Sequence, residues 1–131
     1  MTDGHMIEVY DRGDYHEIIV RDASEQAAEI LFDYILRIHQ AHIARQMAHR
    51  LRFFVSIPAL RQMPITRIVA RVRRDRDRWD AKSRTVVLHP DIALVNFTVS
   101  LLKAMRFPMG DVRTYRLSER DQALEWLLKD N

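Results

Sequence analysis

The stretch L-R-F-F-V-S-I, from Leu51 to Ile57, decides the fold. It is almost continuously apolar, as is typical of a strand buried on both faces of a sheet. Pro58 ends it, because proline cannot donate to the hydrogen-bond ladder of a sheet. A helix is predicted at Met63 to Trp79, and a second buried run, R-T-V-V-L-H, follows at Arg84 to His89. This succession predicts two parallel strands joined by a helix.

The residues before this unit predict a hairpin and a long helix. Two β-rich runs, Ile7 to Tyr10 and Tyr15 to Val20, are separated by D-R-G-D. Gly13 in that link can adopt the positive φ that a hairpin turn requires. Asp22 then begins a capping box for an amphipathic helix that is expected to end near Met47.

The residues after this unit continue the alternation of helices and strands. A helix is predicted over Ile92 to Arg106, a strand over Val112 to Leu117, and a final helix capped by Ser118. The predicted order is β-β-α-β-α-β-α-β-α, and right-handed crossovers make the later strands parallel. We therefore expect an α/β fold, a layered mixed sheet of about five strands with about four helices.

One domain is expected to span residues 1–131, because this length is common for a single hydrophobic core. Residues 1–6 are given no part in it, since Gly4-His5-Met6 resembles the scar of a cloning site. The chain has no cysteine, which excludes disulfides, thiolate catalysis and cysteine-based zinc sites. No signal peptide and no bilayer-spanning run is recognised, so a cytoplasmic location without membrane insertion is expected.

The predicted helix M-P-I-T-R-I-V-A-R-V-R-R-D-R-D-R-W has an apolar face and an arginine-covered face. Its apolar residues recur at helical spacing and are expected to face the core. Four arginines three or four positions apart crowd another side and form the candidate contact surface, namely Arg67, Arg71, Arg74 and Arg78. Asp75 and Asp77 can pair with nearby arginines, so a solvated helix remains the alternative.

Charge is segregated along the chain. Residues 1–33 hold nine acidic side chains, whereas residues 34–74 hold nine arginines and no Asp or Glu. This asymmetry favours an anionic partner, but the two blocks can also face each other within the fold or across a dimer.

Three segments together resemble a known family. They are F-F-V-S-I-P (53–58), R-T-V-V-L-H-P (84–90) and V-R-T-Y-R-L-S-E-R-D-Q-A-L-E-W-L-L (112–128). In this order they resemble the SpoIIAA-like, STAS-type domains of bacterial proteins. The resemblance implies a small α/β module that binds partner proteins and catalyses no reaction.

Some members of that family are switched by phosphorylation of a serine after the central strand. The resemblance therefore makes Ser56 a possible modification site. This chain departs from the family there, since S-I-P-A-L-R stands where an Asp-Ser-Ser-Gly-like run is expected. A kinase-operated switch is not expected.

The helix predicted over Ile92 to Arg106 is the candidate interface. Its polar stripe consists of Asn96, Ser100 and Lys103 alone. A helix with so narrow a polar face is expected to be sandwiched in the core or covered by a second subunit, as in a homodimer. The candidate interface residues are Leu94, Val95, Leu101, Leu102 and Met105.

The sequence contains few candidates for a catalytic or metal site. His39, His42 and His49 have helical spacing, but no carboxylate lies near them in the sequence to complete a metal site. Ser56, His89 and Asp91 could meet at the ends of neighbouring strands, but no G-x-S-x-G elbow is present, and Asp91 is explained as a helix cap. We expect no catalytic residue, no metal and no cofactor.

The leading functional hypothesis is a non-catalytic STAS-like interaction or regulatory module that binds another protein or itself. The first alternative is an anion or nucleic-acid binder that uses the arginine-rich helix. Nucleic acid is the less favoured ligand, because few aromatic residues are interleaved with the arginines. The second alternative is a carrier of a small apolar ligand, since CRAL-TRIO-type domains have a related layered architecture.

Overall fold

The computed structural model shows a five-stranded sheet whose strands lie side by side in the order of the sequence. It describes residues 7–21, 25–44, 51–57, 83–90 and 111–129, together with residues 70, 71, 73, 74, 93, 96, 97 and 100. The mixed α/β architecture with a five-stranded sheet is therefore confirmed.

The sheet combines one antiparallel pair with parallel strands. Strand β1 (Ile7–Asp11) is antiparallel to β2 (His16–Val20). Strands β3 (Arg52–Ser56), β4 (Arg84–Leu88) and β5 (Asp111–Tyr115) follow, each parallel to its neighbour. The single reversal in direction is at the first turn of the chain.

The turn between β1 and β2 has the predicted hairpin conformation. Gly13 has a φ of 88°, which a residue with a side chain rarely adopts. The backbone N–H of Gly13 donates to the Asp11 carboxylate over 2.9 Å, and the N–H of Arg12 donates to the carbonyl of Tyr15 over 3.0 Å. These bonds close the turn and fix the register of the hairpin.

Two helices have their bounds within the described residues, fewer than the four or so that were predicted. Helix α1 (Glu25–Ala44) lies between β2 and β3, and helix α2 (Arg120–Leu127) follows a short 3-10 helix, Leu117–Glu119. Helical residues are also described at 70, 71, 73 and 74 and at 93, 96, 97 and 100. Neither described helix is long and apolar enough to cross a membrane.

Ser118 is not the cap of the last helix, contrary to the prediction. It lies inside the 3-10 helix, and α2 begins two residues later. The Glu119 carboxylate accepts the backbone N–H of Arg116 over 2.8 Å, and the Glu119 N–H donates to the Arg116 carbonyl. The Glu119 carboxylate thus turns back and provides a hydrogen-bond acceptor for a backbone N–H at the start of this helix.

The core has two layers because strand side chains alternate between the faces of the sheet. On one face, Phe53 and Val55 of β3 pack with Ile18 and with α1. On the other face, Phe54 packs with β4 and with Ala123 and Leu127 of α2. Burial of each such aromatic side chain contributes about 1.5–3 kcal/mol. Strand β3 is therefore buried on both sides, as its sequence predicted.

One described residue of each of the other two crossover segments contacts the α1 face. Arg71, between β3 and β4, bonds to Glu29 of α1. Asn96, between β4 and β5, bonds to Thr114, which lies in the same row of the sheet as Val55. Right-handed crossovers between consecutive strands all fall on one side of a sheet. Helix α2 covers the opposite face, over β3 to β5.

Candidate functional site

Arg71 does not lie on an exposed contact surface, contrary to the prediction for the arginine-rich helix. Its side chain is only 4% exposed. Its guanidinium donates to Glu29 over 2.8 Å and also to Asp33, so it connects its own segment to α1. At this contact the acidic and basic blocks of the chain face each other, as one reading of the charge pattern proposed.

The other arginines of that helix give a smaller candidate surface. Arg73 and Arg74 are exposed. Arg67 and Arg78 lie outside the described residues. Any anion-binding surface on this segment therefore lacks the Arg71 guanidinium.

The helical segment between β4 and β5 exposes an aromatic side chain that the sequence reasoning missed. Phe97 is 59% exposed, and Ala93, Asn96 and Ser100 on the same side are exposed as well. Helical spacing could have indicated this exposure. Phe97 follows Asn96 directly and lies three residues before Ser100, so it is placed beside the predicted polar stripe. The five predicted interface residues, Leu94, Val95, Leu101, Leu102 and Met105, lie outside the described residues.

Ser56 is the last residue of β3 and is buried, with 7% of its surface exposed. Within the described part of the chain, its hydroxyl has no hydrogen-bond partner. A buried hydroxyl cannot be modified without local opening of the strand end. His89 is fully buried after β4, where its backbone N–H donates to the Tyr115 carbonyl over 3.1 Å. Asp91, the third member of the considered triad, lies outside the described residues.

The histidines of α1 are core side chains. His39 is 1% exposed and stacks on the ring of Phe53, with centroids 5.3 Å apart. His16 also stacks on Phe53, at 5.7 Å, and His42 is buried. His49 lies outside the described residues. Among the residues described, no three His, Cys, Asp or Glu side chains form a group suited to a metal ion.

Glu17 of β2 carries a buried carboxylate held by two arginines. Its side chain is 4% exposed. Arg12 Nε donates to one carboxylate oxygen over 2.9 Å, and Arg120 Nη2 donates to the other over 2.9 Å. Burial raises the pKa of Glu17, but the hydrogen bonds from Arg120 and Arg12 outweigh burial, so its pKa is lowered.

Each of these two arginines also lies over an aromatic ring. The guanidinium of Arg12 is 4.6 Å from the centroid of Tyr10, and that of Arg120 is 4.7 Å from the centroid of Phe54. These contacts orient both guanidinium planes. We call the group formed by Tyr10, Arg12, Glu17, Phe54 and Arg120 the Glu17 cluster.

One weak signal of the Glu17 cluster is present in the sequence. In the strand H-E-I-I-V, Glu17 is a charged residue beside an apolar run, and a buried carboxylate needs a partner. Arg120 lies 103 residues away along the chain. The pairing depends on the sheet order and on the placement of α2, which no local pattern specifies.

Two arginines lie over the ring of Trp126, near the C-terminal end of α2. The Arg113 and Arg84 guanidinium groups lie 4.7 and 5.3 Å from the indole centroid. Arg84 also donates to the backbone carbonyls of Trp126 and Lys129, over 3.3 and 2.5 Å. A cation at the C-terminal end of a helix stabilises the exposed carbonyls there. This contact anchors α2 on the sheet.

Comparisons with protein-family models, with curated proteins and with solved structures give no match to this chain. The SpoIIAA-like, STAS-type resemblance therefore stays a prediction from the sequence.

Proposed function

We propose that this protein is a non-catalytic, STAS-like interaction module that binds a protein partner or a second copy of itself through the segment around Phe97. The observation that carries the proposal is the 59% exposure of Phe97. Large aromatic side chains contribute much of the binding energy of protein interfaces when a partner covers them.

The neighbours of Phe97 suit such an anchor. Ala93 is small, and Asn96 and Ser100 are polar, so a ring with a polar margin faces outward. Asn96 is bonded to Thr114 of β5, which holds the segment against the sheet. An anchor on a segment fixed in this way loses little conformational entropy when it binds.

The experiment places a photo-crosslinking amino acid at position 97 in the full chain. We expect a reproducible crosslink either to a second copy, seen with the purified protein, or to one protein in the native host, identified by mass spectrometry. The matched control carries the same amino acid at Val9, which is 40% exposed on β1 at the far side of the sheet.

A substitution at the same position tests how much Phe97 contributes to the free energy of association. Phe97→Ser is expected to weaken the association at least about tenfold, because removal of an aromatic anchor costs roughly 2 kcal/mol or more. Val9→Thr, which also removes an exposed apolar side chain, is expected to leave it unchanged. A monomer at all concentrations with no specific crosslink from position 97 would contradict the proposal.

A further inference from the structure

The Glu17 cluster leaves two ordered guanidinium groups half open to solvent. The side chains of Arg12 and Arg120 are 46% and 48% exposed, whereas Glu17 between them is buried. Arg12 uses its Nε atom for Glu17, and Arg120 uses Nη2. Each group thus keeps N–H donors that its bond to Glu17 does not use.

These remaining donors have no other partner within the described part of the chain. Among the described residues, the side chain of each arginine contacts one carboxylate oxygen and one aromatic ring. Arginine normally loses considerable rotamer freedom when it binds a ligand. Here the fold has already fixed both groups, so little further ordering is required.

We propose that the exposed edges of Arg12 and Arg120 form a binding site for an oxyanion, a carboxylate or a phosphate group. The planar fork of arginine matches both groups in geometry. The two arginines and Glu17 together carry one net positive charge, because a single carboxylate is shared by two cations. An incoming oxyanion therefore meets a positive and preorganised site.

Glu8 and Asp11, the acidic groups of β1, have other partners. The Glu8 carboxylate accepts hydrogen bonds from the Tyr10 hydroxyl and from Arg21. Asp11 lies in the same row of the hairpin as His16, whose ring stacks on Phe53, so it belongs to the α1 face. Its carboxylate accepts the N–H of Gly13. Arg12 and Arg120 are drawn together on the opposite face, where Arg120 covers Phe54.

This site is independent of the proposed interaction through Phe97. Phe97 belongs to the crossover segment that contacts Thr114 on the α1 face, whereas the Glu17 cluster lies on the α2 face. Loss of one binding activity therefore does not imply loss of the other.

The experiment is an NMR titration that follows the Nε–Hε signals of the arginines in the full chain. Inorganic phosphate and glutarate are added in separate arms at constant ionic strength. We expect saturable shifts of the Arg12 and Arg120 signals, and the arm with the tighter binding shows whether phosphate or carboxylate is the preferred group.

Variants distinguish a specific oxyanion site from general attraction of anions to a basic protein. Arg120→Gln is expected to weaken binding about tenfold, as for the loss of a charge-assisted hydrogen bond. Arg73→Gln removes an equal charge from an exposed arginine of the segment that contacts α1, on the opposite side of the sheet, and it is expected to change the affinity less than twofold. Arg120→Lys keeps the positive charge opposite Glu17 and so retains the ion pair, but it lacks the planar guanidinium fork. It therefore tests whether the geometry of the fork is needed for binding.

Three results would overturn the proposal. One is the absence of saturable shifts at Arg12 and Arg120 with both anions. The second is an equal loss of affinity in Arg73→Gln and Arg120→Gln. The third is full affinity in both Arg120→Lys and Arg120→Gln.

Discussion

Glu17 shows how a charged residue is accommodated inside this fold. An isolated carboxylate in this position would be costly to desolvate, and the bonds from Arg12 and Arg120 offset that cost. Because its pKa is lowered, the unfolded chain binds a proton more readily than the folded chain does in acid. The stability that Glu17 contributes is therefore present above the pKa of the unfolded carboxyl, about 4.3. It is lost as the pH falls through the lower pKa of the folded state.

Glu17→Gln is expected to remove this part of the pH dependence. In the wild type, the free energy of unfolding from urea titrations is expected to fall between about pH 5 and pH 3. The variant is expected to be less stable at pH 7 and to show a flatter profile over that range. Asp14→Asn, in the exposed hairpin loop, is the control. Equal slopes in the wild type and Glu17→Gln would show that other carboxyl groups determine the acid response.

Ser56→Ala is expected to leave stability unchanged or to raise it by up to about 1 kcal/mol. The hydroxyl of Ser56 is buried and has no hydrogen-bond partner in the part of the chain that the structure describes. Alanine removes this unpaired polar group and leaves only a small change in volume. The measurement is the free energy of unfolding in urea. A loss of more than about 1 kcal/mol would mean that the hydroxyl has a partner in solution.

At the scale of elements, apolar patterning predicted the strands better than the helix contacts. The buried character of β3 and the Gly13 turn follow from local chemistry, namely an unbroken apolar run and a residue that tolerates positive φ. Arg71 could not be placed in this way, because its burial depends on Glu29 and Asp33 on another element. Helical spacing shows which residues share a face, and not what that face contacts.

Arg71→Gln is expected to lower stability by about 1 kcal/mol, with a larger effect at low salt. The value is modest because Glu29 and Asp33 are 35% and 58% exposed, so solvent screens the ion pairs. Arg73→Gln, at an exposed position of the same segment, is expected to have no measurable effect. The free energies of unfolding of the two variants are compared by chemical denaturation at two salt concentrations. If the Arg71→Gln variant kept its stability and lost binding to polyanions, Arg71 would instead belong to an anion-binding contact surface.

At the scale of the whole molecule, β3 belongs to both layers of the core. Phe53 contributes to the layer under α1 and Phe54 to the layer under α2. The Glu17 cluster adds a second link, because it joins the N-terminal hairpin to the start of α2. The two layers are therefore expected to unfold together.

Leu127→Ala tests this coupling. Leu127 of α2 is fully buried against the sheet, so its truncation is expected to cost about 2–5 kcal/mol. Unfolding followed by circular dichroism and by tryptophan fluorescence is expected to remain a single coincident transition. Leu128→Ala, at a partly exposed neighbour, is expected to cost less. Separate transitions in Leu127→Ala would mean that the α1 layer is stable without α2.

The position of α2 in the chain also matters while the protein is being synthesised. All five strands leave the ribosome before α2 does. Until Arg120 to Leu127 emerge, the nascent sheet lacks the helix that covers Phe54, Val86 and Leu88. Exposed apolar strands of this kind are the surfaces that chaperones bind. This nascent face is therefore where a holdase would be expected to act.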